Sequence, residues 1–193
     1  MLDPDKLTTV KRNRYHKILR AARGLFAASG FRGVTMEGIA EASGISKATL
    51  YAYFTDKDEL FEALIRDVAR ELDEAFSAAL EAEGALPSRI ANAFLAKFRL
   101  THELLHTSPH ATELFSAKDR LQGDHLNRLE QTLESRLSEL LRREGVSEHS
   151  PEELARILLG ANLGLHDRFL DFERLEAAVH YTTSALLNAR AIH

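Results

Sequence analysis

The sequence predicts an all-α protein. Apolar residues recur three and four positions apart in one stretch after another, cap residues separate those stretches, and no run shows the strict alternation of a half-buried strand. No internal repeat or low-complexity segment appears. At 193 residues and 45% apolar composition the chain can build one large domain, or a small module beside a larger one, around a sizeable core. The absence of cysteine excludes disulfides and thiolate metal sites and suits a reducing cytoplasm. The first residues, MLDPDKLTTVKRNRYHK, are charged and lack the apolar segment of a signal peptide. No run approaches a bilayer span, so a cytoplasmic chain with no membrane partner is expected.

Charge is unevenly spread under a formal net value of -4. Residues 1–55 hold nine Lys or Arg against four Asp or Glu, a balance of +5 that leaves -9 for the remainder. A basic end is often only a solvated surface, and it points to nucleic acid when a binding motif lies within it.

The first helix is expected from Thr9 to Ser29, with Ile18, Leu19, Ala22, Leu25 and Phe26 on one face. Gly30 suits the left-handed position that ends a helix, and Phe31 behind it can fold back onto the last turn. Lys11, Arg12, Arg14 and Lys17 near its start form either a solvated face or a set of phosphate contacts. From Thr35 to Phe54, TMEGIAEASGISKATLYAYF reads as two short helices joined by a tight turn. Thr35 and Ser46 are their N-caps. Ala40 is small where the helices cross, Gly44 supplies a left-handed backbone at the turn, and Leu50 points the second helix inward. This is the helix-turn-helix spacing, and it leaves Ser46, Lys47, Thr49, Tyr51 and Tyr53 outward, side chains that hydrogen-bond to phosphates and base edges. The fourth helix opens at Asp56 with Glu59 completing a capping box, and Leu60, Phe61, Leu64, Ile65, Val68, Leu72 and Phe76 form its buried stripe. Lys57 in its first turn opposes the helix dipole, which a phosphate partner would explain.

With these residues in place, GLFAASGFRGVTMEGIAEASGISKATLYAYFTDKDELFEALI resembles the N-terminal domain of TetR-family transcriptional regulators. The recurrent features appear as Leu25, Phe26, Gly30, Thr35, Ile39, Ala40, Gly44, Ser46, Leu50, Tyr51, Phe54, Lys57 and Leu60, across roughly Arg12 to Ile65. Ser43 stands where the family usually has alanine, and Tyr53 replaces a frequent histidine. The resemblance implies an N-terminal three-helix DNA-binding domain over 9–58 and a helical effector-binding and dimerisation domain over 59–193, about nine helices in all. It implies a homodimeric repressor released from a double-stranded DNA operator by a small-molecule effector, with half-sites about 34–36 Å apart or a multiple of that. The DNA-contacting set is Thr35, Met36, Ser46, Lys47, Thr49, Tyr51, Tyr53 and Lys57, with Lys47 and Thr49 nearest the bases.

Beyond Glu81, Gly84 and Pro87 precede a helix carrying Ile90, Phe94, Leu95 and Phe98. Pro109 interrupts, a short segment passes through Leu114 and Phe115, and a long amphipathic stretch runs from Asp119 to Glu144 until Gly145. Ser150-Pro151-Glu152-Glu153 is a strong helix start. Leu154 to Phe169 and Phe172 to Ala189 complete the chain. Leu154, Ile157, Leu158, Ala161 and Leu165 form an apolar stripe on the penultimate helix beside Gly160 and Gly164. In the family this region pairs with the last helix as a four-helix dimer interface. The implied pocket would be lined by Phe94, Phe98, His102, Leu105, Phe115, Leu126, Leu129, Asn162, His166 and Phe169.

His102 and His106 would share a helix face, but no carboxylate stands at a fixed spacing, so they read as polar surface or pocket wall and no metal is expected. No G-x-S-x-G, phosphate-binding glycine loop or Glu-x-x-His pair is present, so neither catalysis nor a cofactor is expected. Two other readings stay open: a helical enzyme or carrier with a vestigial helix-turn-helix, and an architectural DNA-binding protein with no effector.

Overall fold

The computed structural model describes residues 6–105, 110, 125–146, 150–166, 168–169 and 171–188, without the side chains of 103–105 and 126. Among them are eight helices and no strand: α1 (Thr9–Gly33), α2 (Met36–Ala42), α3 (Lys47–Tyr51), α4 (Lys57–Leu80), α5 (Leu86–Leu105), α6 (His125–Arg143), α7 (Pro151–His166) and α8 (Phe172–Asn188). The expected segment through Leu114 and Phe115, and the start of the helix expected at Asp119, lie outside the described residues. Two compact units form, one from residues 1–68 with 102–125 and one from 69–101 with 126–193.

The first unit is built on aromatic packing. Tyr15, Ile18, Leu19, Ala22 and Phe26 bury one face of α1. The helix breaks at Gly30, whose φ of 69° is left-handed, and Phe31 turns back to stack on Phe26 with ring centroids 5.7 Å apart. Both rings meet Phe61 of α4 edge-on at 5.1 Å. Tyr15 packs on Phe54 at 5.3 Å, and its hydroxyl accepts a hydrogen bond from Arg66 at 3.4 Å. Edge-to-face and offset contacts of this kind add about 0.5–1.5 kcal/mol each beyond the area they bury.

Side-chain caps begin α2 and α3. The Thr35 hydroxyl accepts from the Gly38 N–H at 3.1 Å, and the Ser46 hydroxyl accepts from the Thr49 N–H at 3.1 Å. Between the two helices, Ile45 N–H donates to Ala40 O at 3.0 Å and Gly44 N–H to Glu41 O at 2.9 Å. These are the two bonds of a Schellman turn, and they require the φ of 63° at Gly44. Ser43, the departure from alanine, is accommodated because its buried hydroxyl donates to Ile39 O at 2.7 Å.

In the second unit, Phe76 of α4 meets Phe94 of α5 edge-on at 5.4 Å, and Phe98 stacks beyond it. Leu129, Leu133, Leu137, Leu140 and Leu141 bury one face of α6. That helix is tied by Arg136 to both oxygens of Asp73, at 2.7 and 2.8 Å, and by Arg143 to both oxygens of Glu81, at 3.0 Å each. A second Schellman turn at Gly145 ends it. Helices α7 and α8 pack on each other. The buried stripe of α7 is Leu154, Ala155, Leu158, Leu159 and Asn162, whereas Ile157 of the apolar stripe is 45% exposed. Its position, one residue from Leu158, turns it about 100° away, onto the strip of Gly160 and Gly164.

The start of α4 has a titratable cap. Asp56 accepts from the Glu59 N–H at 2.8 Å, and Glu59 accepts in return from the Thr55 N–H at 2.7 Å and the Thr55 hydroxyl at 2.8 Å. Burial favours the protonated acid, but the hydrogen bonds from Thr55 oppose it, and the Glu59 carboxyl ionises below its usual range. A group depressed in this way stabilises the fold above its ordinary pKa and loses that contribution as pH falls through the lowered value. Glu59→Gln should therefore melt below the parent at neutral pH, and thermal scans should show the gap closing on acidification below about pH 4.

Candidate nucleic-acid interface

Helix α3 has only five residues, and one of them, Leu50, is wholly buried. Around it Lys47, Ala48, Tyr51 and Ala52 are exposed and Thr49 is half-exposed. The Ser46 and Thr49 hydroxyls lie 2.8 Å apart at the helix N-terminus, and the exposed Thr35 uses its oxygen to accept a backbone N–H, leaving its hydrogen to donate. Lys47 and Tyr51 lie side by side, with the ammonium 5.9 Å from the ring centroid. Tyr51 is 42% exposed, high for a large ring. The face therefore presents hydroxyls, one aromatic ring and one cation on a rigid, capped element.

Three residues of the expected DNA-contacting set, Met36, Tyr53 and Lys57, are placed elsewhere than on this face. Met36 is 7% exposed and Tyr53 8%, both in the core of the first unit. Tyr53 is turned inward because α3 has already ended at Tyr51, and its N–H bonds back to Leu50 O at 2.9 Å in a tight turn, so helical periodicity no longer sets its direction. Lys57 is engaged within the chain. Its ammonium donates to Phe31 O at 2.8 Å and Val34 O at 2.9 Å, and sits 4.5 Å from the Phe31 ring centroid. The carbonyls at the end of α1, rather than a phosphate, account for a cation in the first turn of α4.

Glu37 is the residue that sequence reasoning passed over. It forms an ion pair with Lys47, with both side chains 58% exposed. The hydrogen bond from Lys47 holds the Glu37 carboxyl below the usual carboxylate range, and the same bond holds the Lys47 ammonium above its own. Ten positions separate the two residues, so no helix spacing announces the contact; it arises because the Gly44 turn brings the start of α2 beside the start of α3. Along α1, Lys11, Arg12, Arg14 and Lys17 are exposed, and the Lys17 ammonium approaches Gly44.

A family model described as "Bacterial regulatory proteins, tetR family" matches residues 18–64, the segment containing this face. The similarity continues well beyond it. The nucleoid occlusion factor SlmA of Vibrio vulnificus is 32% identical over 176 residues, 83% of this chain and 85% of that protein. The chain belongs to the TetR family of transcriptional regulators. The HTH-type transcriptional regulator YhgD of Bacillus subtilis is 30% identical over 94 residues, and the matched part spans about half of each protein, 48% and 49%. Among solved structures, a TetR/AcrR-family regulator from Thermobifida fusca superposes with a TM-score of 0.64 over 93% of this chain and 100% of that one, at 19% identity, which shows the shared fold.

The residues expected around a TetR-family effector site are mostly interior. Phe94 and Phe98 are fully buried, Leu129 is 6% exposed, and His166 stacks on Phe98 with centroids 4.6 Å apart. His102 and Phe169 are half-buried. Phe115 and the side chains of Leu105 and Leu126 lie outside the described residues, as does His106. Asn162 is buried, with its amide nitrogen donating to Leu158 O at 2.9 Å and its Oδ1 accepting from no group among the described residues. The hydroxyl of Thr183 on α8, a residue absent from the expected set, is likewise buried with no hydrogen-bond partner among the described residues. Among those residues no group of three His, Asp or Glu is placed to hold a metal ion, and no helix is long and apolar enough to cross a membrane.

Lys57→Met keeps the stem over Phe31 and removes the donor from two carbonyls. It should lower the unfolding free energy by about 1.5–3 kcal/mol, read from urea denaturation monitored by circular dichroism.

Proposed function

We propose that the protein is a homodimeric repressor that a small molecule releases from its operator, with residues 9–58 as the DNA-binding domain and 59–193 as the effector-binding and dimerisation domain. The observation that carries the reading is the outer face of α3: a helix too short to stand alone is held by Leu50 so that Ser46, Lys47, Thr49 and Tyr51 face outward. In the major groove Lys47 and Thr49 would meet base edges, and Tyr51, Ser46 and Thr35 would meet the backbone.

Dimerisation is supported by the outer strip of α7 and α8. Ile157 and Tyr181 are 45% and 76% exposed, and a Cβ built at Gly160 or Gly164 would meet nothing within 4 Å. An exposed apolar side chain such as Ile157 on the same strip as two open glycines suits a self-complementary two-fold contact, in which a knob on one protomer enters the other's groove. Effector binding is supported by the buried Asn162 Oδ1, which has no donor among the described residues, since a ligand bearing an N–H or O–H would satisfy an acceptor that is otherwise costly to bury. Such a ligand shifts the protein between states only through unequal affinity for them.

The similarity to SlmA over 83% of the chain favours a second reading, in which the same DNA-bound dimer serves nucleoid occlusion. A chromosome-wide binding map separates the two, since a repressor occupies a few promoters and an occlusion factor many dispersed sites.

Lys47→Ala and Tyr51→Ala should each fold and remain dimeric yet bind operator at least about tenfold more weakly, on the order of 1.4 kcal/mol, in a mobility-shift titration. Unchanged affinity in both variants would remove α3 from the interface.

A further inference from the structure

Glu37 meets the reading helix at Lys47, one of the proposed base contacts, without being one of those contacts itself. It occupies the second position of α2, where the helix dipole already favours a carboxylate, and its partner Lys47 opens α3. With both side chains 58% exposed, the pair lies outside the core, and exposed pairs add little to stability. Its effect is on the freedom of the lysine. A lysine is a compact charge on a flexible four-carbon stem, and unrestrained on a reading helix it reaches the nearest phosphate whatever the sequence. Here the ammonium is drawn to Glu37 and stays beside the Tyr51 ring.

We propose that Glu37 is a specificity-determining residue of the DNA interface: it holds the Lys47 ammonium for a base-edge acceptor and penalises duplexes that offer only phosphate. The inference rests on α3 being the reading helix. On an arbitrary duplex the Glu37–Lys47 pair carries no net charge, so it releases no counterion, and the carboxylate faces phosphates of its own sign. On a duplex that places guanine O6 and N7 before α3, the ammonium keeps its bond to Glu37 and has two further N–H groups for the base. Both groups are charged at neutral pH, and the hydrogen bond between them moves each further from titrating there.

The test compares two duplexes across a salt series: one enriched by the wild-type protein from a random pool, and a scrambled version of it. Glu37→Gln keeps the side-chain length and removes the charge. It should bind the scrambled duplex about an order of magnitude more tightly, steepen the salt dependence by about 0.9 for each protomer engaged, and gain less on the enriched duplex, so that the specificity ratio falls. In a Lys47→Gln background the same substitution should gain several-fold less on the scrambled duplex and leave the specificity ratio unchanged. An unchanged ratio and slope overturns the proposal, as does an equal gain in the Lys47→Gln background, which would make Glu37 a diffuse negative charge. Failure of the wild-type protein to enrich any duplex removes the reading helix itself and this inference with it, whereas intact enrichment with an indifferent Glu37→Gln removes this inference alone.

Discussion

Five residues of α-helix do not hold their shape in water, because nucleation costs more than one turn of hydrogen bonds returns. Helix α3 is that short, and its outer side chains keep their positions only because Leu50 is wholly buried among the aromatic and aliphatic residues of the first unit. The Ser46 cap satisfies its first turn, and the Schellman turn at Gly44 sets the direction from which it starts. The outer side chains of α3 are thus a surface expression of a core. Anything that loosens Phe26, Phe31, Phe61 or Leu50 blurs the face without touching a residue on it.

Lys57 belongs to the same arrangement. A cation in the first turn of α4 opposes the dipole of its own helix, but its ammonium satisfies two carbonyls where α1 ends and sits against the Phe31 ring. The acceptors offset the dipole, and the bond ties the first turn of α4 to the end of α1. On the outer face, the remaining cation of α3, Lys47, is shared with Glu37, so the basic N-terminal end presents a more selective surface than its charge of +5 over residues 1–55 suggests.

Much of this was legible in the sequence because it depends on local rules. Thr35, Ser46 and Asp56 are caps, Gly30 and Gly44 take positive φ, Phe31 folds back on Phe26, and Leu50 is buried, each as its residue type and spacing imply. The rest depended on helix ends and on tertiary approach. Tyr53 lies past the end of α3 and Met36 at the first position of α2, where helical periodicity does not fix which way a side chain points. Lys57 and Glu37 are long, flexible side chains whose partners are set by tertiary approach, across 23 to 26 residues for the Lys57 carbonyls. Ile157 belongs to the apolar stripe of α7 by residue type, while the buried part of that stripe runs through Leu154, Leu158 and Asn162.

The central claim is that two copies of α3 read DNA together from a two-fold dimer. Hydroxyl-radical footprinting of the wild-type protein on a duplex selected from a random pool tests it most directly. Two protected half-sites of inverted sequence, centred about 34–36 Å apart or at a multiple of that along one face of the duplex, are the predicted result. A single asymmetric footprint, or uniform protection independent of sequence, would contradict it.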